Sequence, residues 1–172
     1  MRRLRRLPGM GPEQAEFVEF YQTHRANCLR AVVAATANRG LAEDLVAEAF
    51  TRAWMSWRKV SQYRAPQAWV VRTALNAGVS AWRRRRREVE LTDPDARALP
   101  EPDPGVDAAL LAMLRRLPVR QREVVALRVF LDLDTETTAR VLEIAPGTVT
   151  AHLSRAVATL RGQLVPQQEV QQ

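Results

Sequence analysis

The sequence predicts an all-α protein of two small helical domains, and three observations lead to that prediction. Apolar residues recur at intervals of three and four along most of the chain, which is the period of an amphipathic helix. No stretch alternates apolar and polar residues as a half-buried strand would. A segment rich in proline and acidic residues, 88–106, separates two helical regions, 12–87 and 107–164, and its composition is typical of an extended, flexible linker.

Glycine and proline divide both regions into helices. In the first region the breaks fall at Arg39-Gly40 and in the SQYRAP segment, 61–66. The predicted helices are Pro12–Ala37, Leu41–Trp57 and Pro66–Arg87, then Val106–Leu117, Val119–Leu131, Thr135–Leu142 and Pro146–Leu164.

Charge and cysteine content restrict the classes of function. The net charge of +7 favours a polyanionic partner such as nucleic acid. Cys28 is the one cysteine, which excludes an internal disulfide, and His24 adds only a second ligand, too few for a metal site. No apolar run is long enough to span a bilayer, so we expect a cytoplasmic protein without membrane insertion. No residue constellation indicates catalysis, and we expect neither a catalytic site nor a cofactor.

The last predicted helix has the pattern of a DNA-reading helix. Its apolar residues fall on one stripe, formed by Val149, Leu153, Ala156 and Leu160. Pro146 suits the first helical turn, where its missing N–H would have no partner in any case. The residues that project from the opposite side or flank it are Thr148, Thr150, Ala151, His152, Ser154 and Arg155. A preceding short helix and tight turn make a helix-turn-helix, which predicts binding in the DNA major groove.

The second predicted helix has an acidic outer face. Asp44 and Glu48 are four residues apart and therefore lie side by side, with Trp54 near the edge of the apolar face. In a basic protein this face is a candidate docking surface for a basic partner. The residues alone favour a solvated face on which Glu48 pairs with Arg52.

The third predicted helix combines aromatic, amide and guanidinium groups on one side. These residues are Trp69, Arg72, Thr73, Asn76, Ser80, Arg83 and Arg87, and they run into five consecutive arginines, 83–87. Such a surface neutralises phosphates, stacks on an unpaired base and hydrogen-bonds a base edge. The pattern predicts contact with single-stranded or melted nucleic acid.

Both regions resemble a known family. The runs LPVRQREVVALR and GTVTAHLSRAVATLR resemble region 4 of bacterial extracytoplasmic-function (ECF) sigma factors, although LuxR-type regulators share much of this signature. The runs AEDLVAEAFTRAW and WVVRTALNAGVSAWRRRRR resemble region 2 of the same sigma factors. The two halves occur in the family's order, with an acidic spacer between them.

The resemblance implies a sigma factor that binds RNA polymerase core and opens promoters, with region 2 over residues 12–87 and region 4 over 107–164. It places Asp44, Glu48 and Trp54 against the β′ clamp helices, and region 4 against the β flap. It assigns the minus-10 strand to Arg64, Trp69, Arg72, Asn76, Arg83 and Arg84. It assigns the minus-35 element to Thr148, Thr150, Ala151, His152, Ser154 and Arg155. It also implies promoter DNA and an anti-sigma factor as partners.

Two other functions fit parts of the pattern. A LuxR-type regulator would bind duplex DNA without polymerase, and a helical adaptor or RNA-binding protein would not depend on the reading helix. Some positions depart from the family pattern. Glu143 stands where a turn glycine is usual, and a left-handed backbone there would cost about 1 kcal/mol. Thr150 and His152 stand where the family commonly has basic residues, and this change should weaken binding of the last helix to DNA phosphates.

Overall fold

The computed structural model describes residues 11–89 and 108–164, with the side chains of 79–89 and of residue 164 excepted. Within these ranges the chain is all-α and contains no strand, as the sequence predicts. The predicted linker lies outside the described residues, except for its first two positions. None of the helices in the two ranges combines the length and the apolar composition of a bilayer-spanning segment.

The first half, residues 11–89, contains four helices and the second half, residues 108–164, contains four more and a π-helical segment. The helices are α1 (Pro12–Thr36), α2 (Arg39–Met55), α3 (Trp57–Val60), α4 (Pro66–Val89), α5 (Ala108–Arg115), α6 (Val119–Val125), α7 (Thr135–Leu142) and α8 (Pro146–Leu164). The π segment, Ala126–Phe130, follows α6 directly.

Helix α1 is the central element, because it packs against α2 and α4 of its own half and against α6 and the π segment of the other. Pro12 occupies its first turn. The helix ends where Ala37 adopts a left-handed backbone, φ 52°, and donates its N–H to the Val33 carbonyl at 2.7 Å. Helices often end with a glycine in this left-handed conformation. Here the position is taken by Ala37, whose small side chain is buried.

Helix α2 buries the face that its periodicity predicts. Its buried residues are Ala42, Leu45, Val46, Ala49, Phe50 and Ala53. The Asn38 side chain caps its N-terminus by accepting the Leu41 N–H at 3.0 Å. The chain breaks at Ser56, so Trp57 begins the short helix α3 instead of ending α2. The sequence pattern gives no signal for α3.

Helix α4 lies close to α2. A Cβ added to Gly78 would meet Leu45 Cδ1 at 3.0 Å, so the absent side chain permits this approach. On the core side α4 buries Val70, Val71, Ala74 and Leu75. The opposite side carries the polar residues described below.

In the second half, α8 packs against α6 and α7. The sequence predicts one helix over Val119–Leu131, whereas the structure changes to π-helical spacing at Ala126. The Leu131 N–H reaches the Ala126 carbonyl at 3.2 Å, five residues back. The π turn leads the chain into the loop that precedes α7.

The two halves share one continuous apolar core. Leu114, Leu117 and Leu127 of the second half belong to the same buried cluster as Val32 of α1 and Val70 of α4. A linker of flexible composition permits many arrangements of the halves, and the sequence contains no indication of this one. The packing arises from contacts between distant segments.

The Asn38 cap provides a test of this local structure. We expect Asn38→Ala to lower the free energy of unfolding by about 1 kcal/mol, because the first turn of α2 then loses its side-chain acceptor. Asn38→Asp keeps an acceptor oxygen and should retain most of the stability. Urea unfolding followed by circular dichroism measures both, and equal losses in the two variants would contradict the capping role.

Candidate nucleic-acid and partner interfaces

The acidic face of α2 borders an aromatic cluster. Asp44 and Glu48 are exposed, and Trp54 remains 42% exposed at the edge of the helix. The Trp54 ring lies 5.1 Å from the Phe17 ring, centroid to centroid, and Phe17 in turn lies 5.2 Å from Trp57. The Phe17 ring therefore packs against the Trp54 indole, while part of the indole stays exposed to solvent. An exposed ring on a packed base is suited to contact another macromolecule.

Glu48 does form the ion pair with Arg52 that a solvated face would show. Both side chains are about half exposed, at 49% and 53%. An exposed pair of this kind contributes roughly 0.5 kcal/mol, so it is easily exchanged for a partner's charge. The pair thus leaves both interpretations of the α2 face open.

Four of the residues assigned to the minus-10 strand lie together on one surface, which we call the α4 wall: Arg64, Trp69, Arg72 and Asn76. Tyr63 completes it and is 38% exposed. The wall lines a cavity of about 430 Å³ whose opposite side is formed by α7 and the following turn. Arg83 and Arg84 belong to the last turns of α4, and their side chains lie outside the described residues.

One ion pair crosses this cavity. Arg72 Nη2 lies 3.7 Å from Glu143 Oε2, and the two side chains are 23% and 81% exposed. Such an exposed pair adds little stability.

The N-terminus of α7 is well defined. Asp134 caps α7 by accepting the Thr137 N–H at 2.6 Å and the Thr137 hydroxyl at 3.0 Å. These two bonds are the main causes that lower the pKa of Asp134. The stabilisation that these bonds give the folded chain is fully present at pH values above the ordinary pKa of aspartate. It is lost as the pH falls through the lowered pKa of Asp134.

The left-handed backbone considered for Glu143 is present, with φ 55°. The Ile144 N–H then reaches back to the Ala139 carbonyl at 3.0 Å, which closes the end of α7. Helix α8 starts at Pro146, and the Ala145 carbonyl accepts the Thr148 N–H at 2.9 Å. The residues form the predicted helix-turn-helix without a glycine in the turn.

The outer face of α8 is open. Thr148, Thr150, Ser154 and Arg155 are exposed, whereas Ala151 is half-buried. His152 is also half-buried, and its Nδ1 is buried with no partner among the described residues. The face is thus composed mainly of two threonines, a serine and an arginine, a set that can bond to base edges and phosphates.

Two models of protein families match this chain. The model of sigma-70 region 2 matches residues 20–88, and the model of sigma-70 region 4 matches residues 107–160. The RNA polymerase sigma-E factor of Streptomyces antibioticus is 34% identical over 155 residues, which cover 88% of this chain and 86% of that protein. The ECF RNA polymerase sigma factor SigL of Mycobacterium tuberculosis is 30% identical, with coverage of 91% and 93%.

The chain belongs to the ECF class of the sigma-70 family. It is a sigma factor that directs transcription initiation. A region 2 in the first half fits neither a LuxR-type regulator nor a helical adaptor, so neither alternative is favoured.

Solved structures of sigma factors share this fold. The sigma factor RpoE of Bartonella quintana, in complex with the anti-sigma factor NepR, superposes with a TM-score of 0.72 at 21% identity, covering 87% of this chain and 96% of that one. CnrH, in complex with the cytosolic domain of CnrY, superposes with a TM-score of 0.62 at 23% identity, covering 88% of each chain.

The structure places two further residues beside the α4 wall of this sigma factor. Tyr63 joins the α4 wall from the SQYRAP segment, and Arg140 faces that wall from α7. An aromatic residue directly before Arg64 was a local signal for Tyr63. Arg140 had no such signal, because its position depends on how the two halves pack.

The strained turn of the sigma factor can be tested by Glu143→Gly. Because glycine adopts positive φ without steric cost, we expect the free energy of unfolding to rise by about 1 kcal/mol. Loss of the exposed pair with Arg72 opposes this gain only slightly. Glu136→Gly is the control within α7 and should lower stability. Urea unfolding measures the free energy of unfolding of both variants. A Glu143→Gly variant less stable than the unchanged chain would contradict backbone strain at Glu143.

Proposed function

We propose that this sigma factor uses three separate surfaces, one on α2, one on α4 with the loop before it, and one on α8. The acidic face of α2 binds RNA polymerase core, the α4 wall takes the non-template strand of the minus-10 element, and the outer face of α8 reads the minus-35 duplex. In this proposal residues 12–87 form region 2, 88–106 the linker and 107–164 region 4. The α4 wall carries the proposal furthest, because it combines rings, guanidinium groups and an amide on one surface.

The α2 face suits the polymerase because its negative charge would complement a basic helical partner. Asp44 and Glu48 provide two adjacent carboxylates, and Trp54 provides an exposed ring on a rigid aromatic base. Interfaces of this kind gain most of their affinity from a few aromatic anchors and their selectivity from charge. We assign this face to the β′ clamp helices, and a surface of region 4 to the β flap.

The α4 wall suits an opened strand. Stacking of a base on an aromatic ring contributes about 1–3 kcal/mol, and extruding a base costs a few kcal/mol. Trp69 and Tyr63 supply rings, Arg64 and Arg72 supply phosphate contacts, and Asn76 supplies a base-edge contact. Arg83 and Arg84 would extend the basic path along α4.

The α8 face suits duplex DNA, since helix-turn-helix proteins place the exposed side of their second helix in the major groove. Arg155 is its one cation among the residues 148–155. We therefore expect base-edge contacts by Thr148, Thr150 and Ser154 to carry much of the recognition, with Ala151 and His152 at the border.

The remaining partners follow from the same assignment. Phosphodiester synthesis belongs to the polymerase, and we propose that this chain has no catalytic activity of its own and acts in the cytoplasm. The two structures with which it superposes are bound to an anti-sigma factor or to the cytosolic domain of CnrY. We propose an anti-sigma partner for this chain as well.

Run-off transcription tests the proposal as a whole. Sigma-free core polymerase is incubated with the DNA upstream of this protein's own gene, with and without the purified chain. We expect a defined transcript only in the presence of the chain. A specific gel shift by the chain alone, with no polymerase binding in a pull-down, would contradict the proposal and support a regulator.

Charge reversal separates the α2 face from the α4 wall. We expect Asp44→Lys with Glu48→Lys to weaken binding to core polymerase at least about tenfold, because like charges across an interface repel. Glu19→Lys with Glu136→Lys reverses two exposed carboxylates elsewhere and should leave binding unchanged. Trp69→Ala should retain core binding and impair promoter opening, measured by permanganate footprinting. Loss of core binding in Trp69→Ala would refute the separation.

The α8 face can be tested through one cation. We expect Arg155→Ala to weaken binding of the holoenzyme to its upstream element by about 1–3 kcal/mol if the guanidinium contacts a base. Arg161→Ala removes an exposed charge two turns further along α8 and is the control. An equal loss on all DNA sequences would identify Arg155 as a phosphate contact instead.

A further inference from the structure

A second cavity lies where α1 meets α5 and the π segment. Its volume is about 430 Å³, which is within the range of sites that bind one small molecule. Both halves of the chain contribute to it, because α1 lines one side and α5 and the π segment line the other. None of its lining residues belongs to the surfaces proposed above for DNA or for polymerase.

The helical period of α1 explains its side of the cavity. Residues four apart lie one above the other on a helix and form a row. Two neighbouring rows of α1 line the cavity: Arg25, Leu29 and Val33 form one, and Ala26, Arg30 and Ala34 form the other. Each row therefore combines one guanidinium group with two apolar side chains.

The apolar part of the lining keeps contact with solvent. Leu29 and Val33 are half-buried, and Leu110 of α5 is 38% exposed. Phe130, the last residue of the π segment, is also half-buried and lines the cavity. Short π-helical segments are frequent at functional sites. Since removal of apolar surface from water is favourable, this lining suits a ligand with an apolar body.

The charged residues of the lining are all arginines: Arg25, Arg30 and Arg39. Arg39 pairs with Glu43, and its Nε lies 2.9 Å from the carboxylate. The other two have neutral partners. Arg25 lies 5.9 Å from the centroid of the Tyr21 ring, and Arg30 donates to an asparagine side-chain oxygen. These two contacts leave both positive charges uncompensated.

We propose that this cavity binds a small amphipathic anion, with an apolar chain or ring between α1, α5 and Phe130 and a carboxylate at Arg25 and Arg30. A guanidinium group matches a carboxylate in geometry, and charge-assisted hydrogen bonds of this kind are strong. Because the ligand contacts both halves, its binding stabilises their packing. The inference goes beyond the proposed DNA and polymerase surfaces and does not depend on them.

Calorimetric titration of the full-length chain with decanoate tests the site. We expect saturable binding of one molecule per chain, because the cavity holds one small molecule. Butyrate has the same carboxylate on a shorter chain and should bind at least about tenfold more weakly. Decylammonium has the same chain with a positive head group and should also bind at least about tenfold more weakly, because like charges repel.

The arginines are tested by Arg25→Gln with Arg30→Gln. Both side chains are exposed, so the fold should persist, and decanoate should bind at least about tenfold more weakly. The matched control is Arg116→Gln with Arg161→Gln, which removes two exposed charges that do not line the cavity. It should bind decanoate as the unchanged chain does.

The wall formed by α5 is tested separately by adding a carboxylate. Leu110→Glu should weaken binding of decanoate and not that of decylammonium, whereas Leu110→Gln changes polarity alone and should have a smaller effect on decanoate. Val119→Glu adds the same charge at an apolar residue that is 53% exposed and does not line the cavity. It should leave decanoate binding unchanged.

Weaker binding in the cavity variants, with full binding in both controls, supports the proposal. The absence of saturable decanoate binding would overturn it, and so would equal binding of decylammonium. Equal losses in the two arginine pairs would indicate attraction to the net positive charge of the chain and would overturn the site as well. The proposed promoter surfaces stand or fall by the transcription experiments, whichever of these results is obtained.

Discussion

Helix α1 has its C-terminus completed by the other half of the molecule, and the arrangement of the chain depends on this contact. Helix ends expose carbonyls that must find donors. Here Ala37 turns left-handed and satisfies Val33, while Arg115 and Arg122 reach across to Ala37 and Ala35. Because α1 also packs against α2 and α4, fixing its end fixes where the second half lies relative to the proposed DNA-binding wall.

In the packed form the sigma factor exposes the acidic face of α2 and the outer face of α8. Of the α4 wall, Tyr63, Arg64 and Asn76 are exposed, while Trp69 and Arg72 are half-buried. Phosphate contacts carry no sequence information. The selectivity of the proposed DNA surfaces therefore depends on the side chains that reach the bases.

The parts of the structure that depend on periodicity could be predicted from the sequence. The apolar face of α2 is buried as its spacing indicates, because an amphipathic helix has one face that must leave water. On α8, Val149 and Ala156 are buried, and Leu153 and Leu160 are half-buried against the core. Arg64, Trp69, Arg72 and Asn76 lie together because they are close in sequence or share one face of α4. The roles assigned to them remain predictions.

Features that depend on tertiary contact could not be predicted. Helix α3 and the π segment lie where the apolar pattern predicts longer, uninterrupted helices. The left-handed backbone at Ala37 has no sequence signal, because the residue is not a glycine. The capping arginines have no local signal either, since Arg115 and Arg122 resemble any surface arginine of a basic chain. Their partners lie 78 and 87 residues away.

The distance between the loop before α4 and helix α7 in solution is the most direct test of the packing of the two halves. Spin labels on cysteines placed at Gln62 and Glu136, both exposed, would report it by pulsed electron resonance. Cys28 should not react with the label, because burial raises its pKa to about 12. We expect one short, narrow distance in the free chain. A long or broad distance would contradict the packing of the two halves.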